Sequence, residues 1–346
     1  MSLADELQAL PKAELHQHLD GALRPETAVE LAATIGMPLT LAEARGRMVG
    51  PARCRDQAEL LGFFDLPLAL LQTADALERA SSELVADMAL DGIRYAEVRW
   101  APRLHLERGL SVAAVISAVA SGIARASRRP SVGTPVVGLI VTAMRSHPPA
   151  ANVELARSAV EFGWPVIGFD LAGLEAEWPA PPHAAAFDTS RAGGLGLTAH
   201  AGEVPGAQRI AEVLDFGVTR IAHGVTAAGD ERTLDLLREH DVTLDMCPTS
   251  NAQAAIVASL AAHPLAALHR AGVSVTISTD DRTVADTTLS DEMARTAVAL
   301  ELSDDELMAM ALNGFHRAFA PPSTMQSITA AASALWAEWR AGRAIS

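Results

Sequence analysis

Eight short strand-like runs recur along this chain, and helical stretches separate them. Few folds accept that alternation. The clearest run is Val136-Val137-Gly138-Leu139-Ile140-Val141, continuously apolar as a strand is when both its faces are buried. Residues 93–100 alternate in character and stop at Ala101-Pro102. The other runs are one beginning at Ala13-Glu14-Leu15, then 166–171, 197–200, 219–223, 242–246 and 273–279. Among the separating segments, a helical pattern follows Arg24-Pro25 through Leu31, and residues 66–91 read as helix. Val112, Val115, Ile116, Val119 and Ile123 recur at the spacing of one apolar helix face. The pattern predicts an α/β fold, a (β/α)8 TIM barrel with additional helices. A chain of 346 residues fits one such barrel and shows no domain boundary, so a single domain over residues 1–346 is expected.

Several segments stand outside the repeat. Residues 37–64 form an irregular insertion after the first strand, which either covers a pocket or packs as helices on the outside. Residues 130–135 read as a turn and residues 178–182 as a proline-rich loop. Gly193-Gly194-Leu195-Gly196 leads into a strand rather than out of one, so it is not a phosphate cradle. The tail, 302–341, reads as helical, with Trp336 and Trp339 packing against the barrel.

Charge narrows the partners. Lys+Arg number 27 against 42 Asp+Glu, a formal net charge of −15. Such a surface repels nucleic acid, and a small neutral ligand fits it better than a polymer. The two cysteines, Cys54 and Cys247, offer no disulfide framework, and a reducing compartment is the natural reading. The start of the chain is not a signal peptide, and no run reaches the ~20 apolar residues needed to span a bilayer. No membrane association and a cytoplasmic location are therefore expected. The sequence carries no signal of oligomeric state.

The reactive residues gather where a barrel puts its active site, at the C-terminal ends of the strands. His16 and His18 end the first strand, and on a strand their side chains share a face. His200 ends the fifth, followed by Ala201-Gly202-Glu203. His223 ends the sixth, and Asp280 with Asp281 the eighth. His16, His18, His200 and Asp280 make a plausible zinc set that needs no thiolate and leaves a position for water. Glu203 lies past a glycine, where it can act as an acid or base without binding the metal. His223 can hold or deprotonate a water, and Asp281 can face a substrate. Taken singly, each of these residues is as well explained by solvation or structure; together on one rim they point to chemistry.

Six motifs occur in the order seen in adenosine deaminases, and over residues 10–320 the chain resembles that family. They are His16-Gln17-His18-Leu19-Asp20-Gly21, Leu171-Ala172-Gly173, His200-Ala201-Gly202-Glu203, His223-Gly224, Cys247-Pro248-Thr249-Ser250-Asn251 and Ser278-Thr279-Asp280-Asp281. The resemblance implies a zinc-dependent hydrolysis that turns adenosine, and 2′-deoxyadenosine, into the 6-oxo nucleoside and ammonia. One Zn2+ would be bound by His16, His18, His200 and Asp280. Glu203 would protonate ring nitrogen N1, and His223 would orient the attacking water and assist its deprotonation. Asp281 would hydrogen-bond N7, the Gly173 backbone would meet N3, and Asp20 the ribose, with His18 also lining the substrate. Two positions depart from the family pattern: Leu174 stands where an acid is common and Arg282 where proline is common, and both could reshape the pocket rim.

Other readings remain open at this stage. A deaminase of adenine or of a modified nucleoside would share the metal set. A phosphate-bearing substrate would require a basic pocket, and none is obvious. Another metal hydrolase of the same barrel would commonly bind two metals through a lysine on a middle strand, and the strand ends offer none. A non-catalytic nucleoside binder would not need the full ligand set.

Overall fold

The computed structural model describes residues 2–128 and 133–344. Eight strands follow one another in sequence order, and every paired neighbour is parallel. They are β1 Lys12–His18, β2 Ile93–Trp100, β3 Val136–Met144, β4 Val166–Ala172, β5 Gly196–Ala201, β6 Arg220–His223, β7 Thr243–Met246 and β8 Ser274–Ile277. Helices lead from each strand to the next, among them Ala74–Leu90, Val112–Ser127, Pro149–Phe162 and Glu231–Glu239. The (β/α)8 barrel expected from the alternation is the fold observed.

The last strand is shorter than its sequence pattern. β8 ends at Ile277, so Asp280 and Asp281 stand on the loop beyond it. Among the described residues, no ladder joins β8 to β1. The barrel closes there through a single bridge between Gln17 and Asp280. Asp280 N–H donates to the His16 carbonyl at 3.0 Å, and His18 N–H donates to the Asp280 carbonyl at 2.8 Å. Glu14, fully buried on β1, supports this seam by accepting from Thr279 N–H at 3.2 Å. Three of the four residues with metal-ligand chemistry, His16, His18 and Asp280, therefore also close the barrel.

Ionic side chains fill part of the barrel interior, where branched aliphatics are the rule. Arg99 faces Asp170 at 3.5 Å and Asp245 at 3.8 Å, and Arg220 pairs with Glu97 and, at 3.0 Å, with Asp245. All five are fully or almost fully buried. Charges so deep persist only when paired and hydrogen-bonded.

Two helical readings gain detail, and one helix is additional. The stretch 66–91 is two helices, Asp65–Leu70 and Ala74–Leu90, because Thr73 starts the second by accepting from Ala76 N–H. The tail is also two helices, Asp304–His316 and Pro322–Arg343, broken where Pro321-Pro322 removes backbone donors. An N-terminal helix, Leu3–Ala9, closed by a Ser2–Asp5 capping box, was not expected. Trp336 does pack as anticipated, buried and donating to the Pro11 carbonyl at 2.8 Å, while Trp339 is only partly buried and donates to Glu6. The proline-rich loop carries a short 3-10 turn, Pro181–His183. The turn expected at 130–135 lies partly outside the described residues.

The insertion 37–64 does both things considered for it. Its first half, helix Leu41–Met48, packs outside against helix Pro25–Thr34. Its second half crosses the barrel mouth. Gly50 N–H donates to Val284 O at 2.9 Å and Cys54 N–H to Gln253 O at 2.7 Å, which pins the chain to the loop beyond β8 and to the helix Pro248–Gln253 that follows β7. Helix Gln57–Leu61, capped by Asp56, then lies over the site. Among the described residues, no helix is long and apolar enough to cross a membrane.

Candidate active site

Alternation along β1 turns His16 and His18 to the same face, and the loop past β8 brings Asp280 to them. His16 Nε2 lies 3.1 Å and His18 Nε2 3.4 Å from Asp280 Oδ1, and His18 Nε2 lies 3.3 Å from His200 Nε2. One ligand atom from each of the four falls within 4.8 Å of all the others.

The donor chemistry fits a cation. His16 Nδ1 faces the Asp245 carbonyl at 3.4 Å, and His200 Nδ1 faces Asp170 at 3.1 Å. Both partners only accept, so a ring proton sits on each Nδ1 and Nε2 is the atom turned inward, where a cation would take it. Burial pushes His18 down to about 3, which leaves its ring neutral. Burial disfavours charge on His200 as well, but the Asp170 carboxylate outweighs it and raises that histidine. Asp280 Oδ2 is held by the Ser250 hydroxyl at 2.7 Å. Cys247 Sγ also approaches His16 and His223, but burial keeps its thiol pKa well above the ordinary value. The thiolate is again not needed.

Backbone conformation aims two of these side chains. His223 and Asp280 are non-glycine residues in the left-handed region, with φ of 69° and 63°. Such conformations cost on the order of 1–3 kcal/mol and gather at functional sites. Gly21 explains the glycine of the first motif: a Cβ there would lie 1.8 Å from Asp281 Oδ1.

A cavity of about 230 Å³ opens beside the four residues. Its polar wall holds Asp20, Glu203, His223 and Asp281, and its apolar wall includes Leu60, Leu61 and Phe64 from the covering segment and Leu68 from the helix Asp65–Leu70 that follows it. Among the described residues, no lysine or arginine lines it. Asp20 and Asp281 are 5% exposed, and each has a buried carboxylate oxygen without a hydrogen-bond partner. Burial raises Asp20 to about 6 and, with Asp280 and Asp20 nearby, holds Asp281 well above its ordinary value.

Residues 11–332 match the adenosine deaminase family. An adenosine deaminase of Enterococcus faecalis is 37% identical over 321 residues, covering 91% of this chain and 94% of that protein. The chain belongs to the adenosine deaminase family. It is a hydrolytic deaminase on a TIM barrel. Among solved structures, an N6-mAMP deaminase of Arabidopsis superposes with a TM-score of 0.85 at 29% identity, covering 95% of this chain and 99% of that one. An adenine deaminase of Arthrobacter aurescens superposes with a TM-score of 0.87 at 26% identity, covering 94% and 99%.

In this deaminase every residue singled out from the sequence reaches one site. His16, His18, His200 and Asp280 form the cluster, and Asp20, Gly173, Glu203, His223 and Asp281 line the cavity beside it. Neither Leu174 nor Arg282 lines the cavity, and Arg282 turns outward to pair with Asp91 at 3.2 Å.

Sequence reasoning missed the residues that hold the site in place. Glu175, 1% exposed, accepts from three successive backbone N–H groups: Gly202 at 2.9 Å, Glu203 at 2.9 Å and Val204 at 3.2 Å. Arg145 donates to the His200 carbonyl at 2.7 Å. Together they fix the turn that presents Glu203. From the covering helix, Gln57 Nε2 donates to Glu203 Oε2 at 2.9 Å. Only Glu175 left a trace in sequence, as the acid one place beyond Leu174.

Proposed function

We propose that this deaminase hydrolyses adenosine, and 2′-deoxyadenosine, to the 6-oxo nucleoside and ammonia, with one zinc held by His16, His18, His200 and Asp280. The observation that carries the substrate is Asp20. Its buried, unpartnered carboxylate oxygen faces a cavity that no lysine or arginine lines among the described residues. A carboxylate so placed suits ribose hydroxyls and repels a phosphate.

When bound, the metal supplies Lewis-acid activation of a water at neutral pH. The chain's own residues do the rest. Glu203 gives a proton to N1, which makes C6 electrophilic, and His223 orients the attacking water. Gly173 N–H meets N3, and His18 lines the substrate. A hydrogen bond to N7 requires Asp281 to donate, which its burial beside Asp280 and Asp20 favours. The apolar residues of the covering segment exclude bulk water.

A second reading, deamination of free adenine or of a modified nucleotide, is motivated by the names of the structural neighbours. One experiment separates them. Adenosine, 2′-deoxyadenosine, adenine and AMP are compared by ultraviolet absorbance on wild type and Asp20→Ala. The wild type should prefer the nucleosides. Asp20→Ala should lower kcat/KM for adenosine on the order of 10- to 100-fold, the worth of a hydrogen bond to a charged group, and leave adenine unchanged. Equal use of adenine by the wild type, or an unchanged adenosine value in the variant, would refute the ribose role.

A further inference from the structure

His223 presents one ring nitrogen to the cavity and the other to the protein. Nε2 lies 3.5 Å from Glu203 Oε1 and 4.0 Å from Asp280 Oδ2. Nδ1 lies 3.1 Å from Asn251 Nδ2. Whether His223 offers an N–H or a lone pair to the cavity depends on which nitrogen carries the proton.

A chain of contacts that begins at a backbone donor fixes the answer. Leu265 N–H donates to His263 Nδ1 at 3.2 Å. A backbone N–H can only donate, so His263 Nδ1 is an acceptor and carries no proton. His263 is 4% exposed, and burial pushes it down to about 3, so its ring is neutral with the proton on Nε2. That Nε2–H faces Asn251 Oδ1 at 3.1 Å and donates to it. The fully buried Asn251 must then turn its amino group toward His223 Nδ1. Nδ1 accepts, and the His223 proton is left on Nε2, facing the cavity.

We propose that His263 and Asn251 are positioning residues that hold His223 as an Nε2–H donor, so that His223 grips a lone pair of the attacking oxygen rather than removing its proton. The proposal rests on the deamination reading above. It reassigns the proton traffic of that reaction. Glu203 gives its proton to N1, becomes a carboxylate, and takes one proton from the water as the C6–O bond forms. The water's other proton leaves with the amino group as ammonia when the C6–N bond breaks, and atoms and charge balance.

The test uses the protein as isolated, with its metal, labelled with 15N-histidine, and reads ring-nitrogen spectra beside kcat and KM. His223→Asn assigns the His223 signals. The wild type should show His223 protonated on Nε2. In Asn251→Asp the new carboxylate only accepts, so the proton should move to Nδ1. Loss of a positioned donor should then lower kcat on the order of 100-fold while KM holds. His263→Gln keeps a donor toward Asn251 and should retain both spectrum and rate, whereas His263→Phe should lose both, which covers a poorly folding Asn251→Asp. A wild-type His223 protonated on Nδ1 overturns the proposal, as does an Asn251→Asp protein with unchanged spectrum and kcat. A wild type with the proton on Nε2 that releases no ammonia from any 6-aminopurine overturns the deamination reading and leaves the tautomer assignment supported.

Discussion

Replacing Glu175 by glutamine should loosen the turn that carries Glu203. In the wild type Oε1 accepts from Gly202 N–H, and Oε2 accepts from both Glu203 and Val204 N–H. An amide supplies one acceptor oxygen. If that oxygen takes the Glu203 and Val204 donors, the new NH2 group faces Gly202 N–H, donor against donor, at a site 1% exposed to water. One hydrogen bond to a charged acceptor is lost, worth roughly 1.5–3 kcal/mol. If the loss falls on the geometry that presents Glu203, kcat/KM drops on the order of 10- to 100-fold. The assay is adenosine turnover by ultraviolet absorbance, with metal content and a thermal melt on the same samples. Wild-type kcat/KM in a variant melting several degrees lower would refute the reasoning, for it would show that the turn holds its shape without the clamp.

Further outcomes concern the metal and pH. His200→Ala and Asp280→Ala should each lose zinc, measured by metal analysis, and full zinc content in either folded protein would overturn the ligand set. Because His16, His18 and Asp280 also close the seam between β1 and β8, chelation of the wild type should lower Tm and speed amide exchange at His18 and Asp280. A melt that is indifferent to chelator would separate metal binding from barrel closure. Glu292 is fully buried, and burial raises it from 4.5 to about 7 although Thr249 N–H donates to it at 2.7 Å. Below about pH 4.5 both states hold the proton; above that the unfolded chain releases it first, so this group's stability contribution falls as pH rises through about 7. Glu292→Gln should therefore gain Tm relative to wild type between about pH 5 and about pH 8, and a constant difference would refute the assignment.

The chain's own pattern determined the barrel and which polar side chains gather at its rim. Both signals are local. Period-two alternation puts His16 and His18 on one face within a single strand, and apolar runs divided by helical stretches impose parallel pairing whatever the loops do. His200, His223 and Asp280 could be read because strand ends share one rim in this fold. Tertiary structure alone decided how those groups are held. Gln57 meets Glu203 across 146 residues of sequence, and Glu175 clamps a turn 27 residues away. His263 reaches His223 only through Asn251. None of these contacts leaves a periodic trace, because each depends on where two loops land rather than on the repeat of either one. The covering segment shows the same division. Its sequence allowed a lid or an outer helix; packing against helix Pro25–Thr34 made the first half an outer helix, and the backbone bonds of Gly50 to Val284 and Cys54 to Gln253 carried the second half over the mouth.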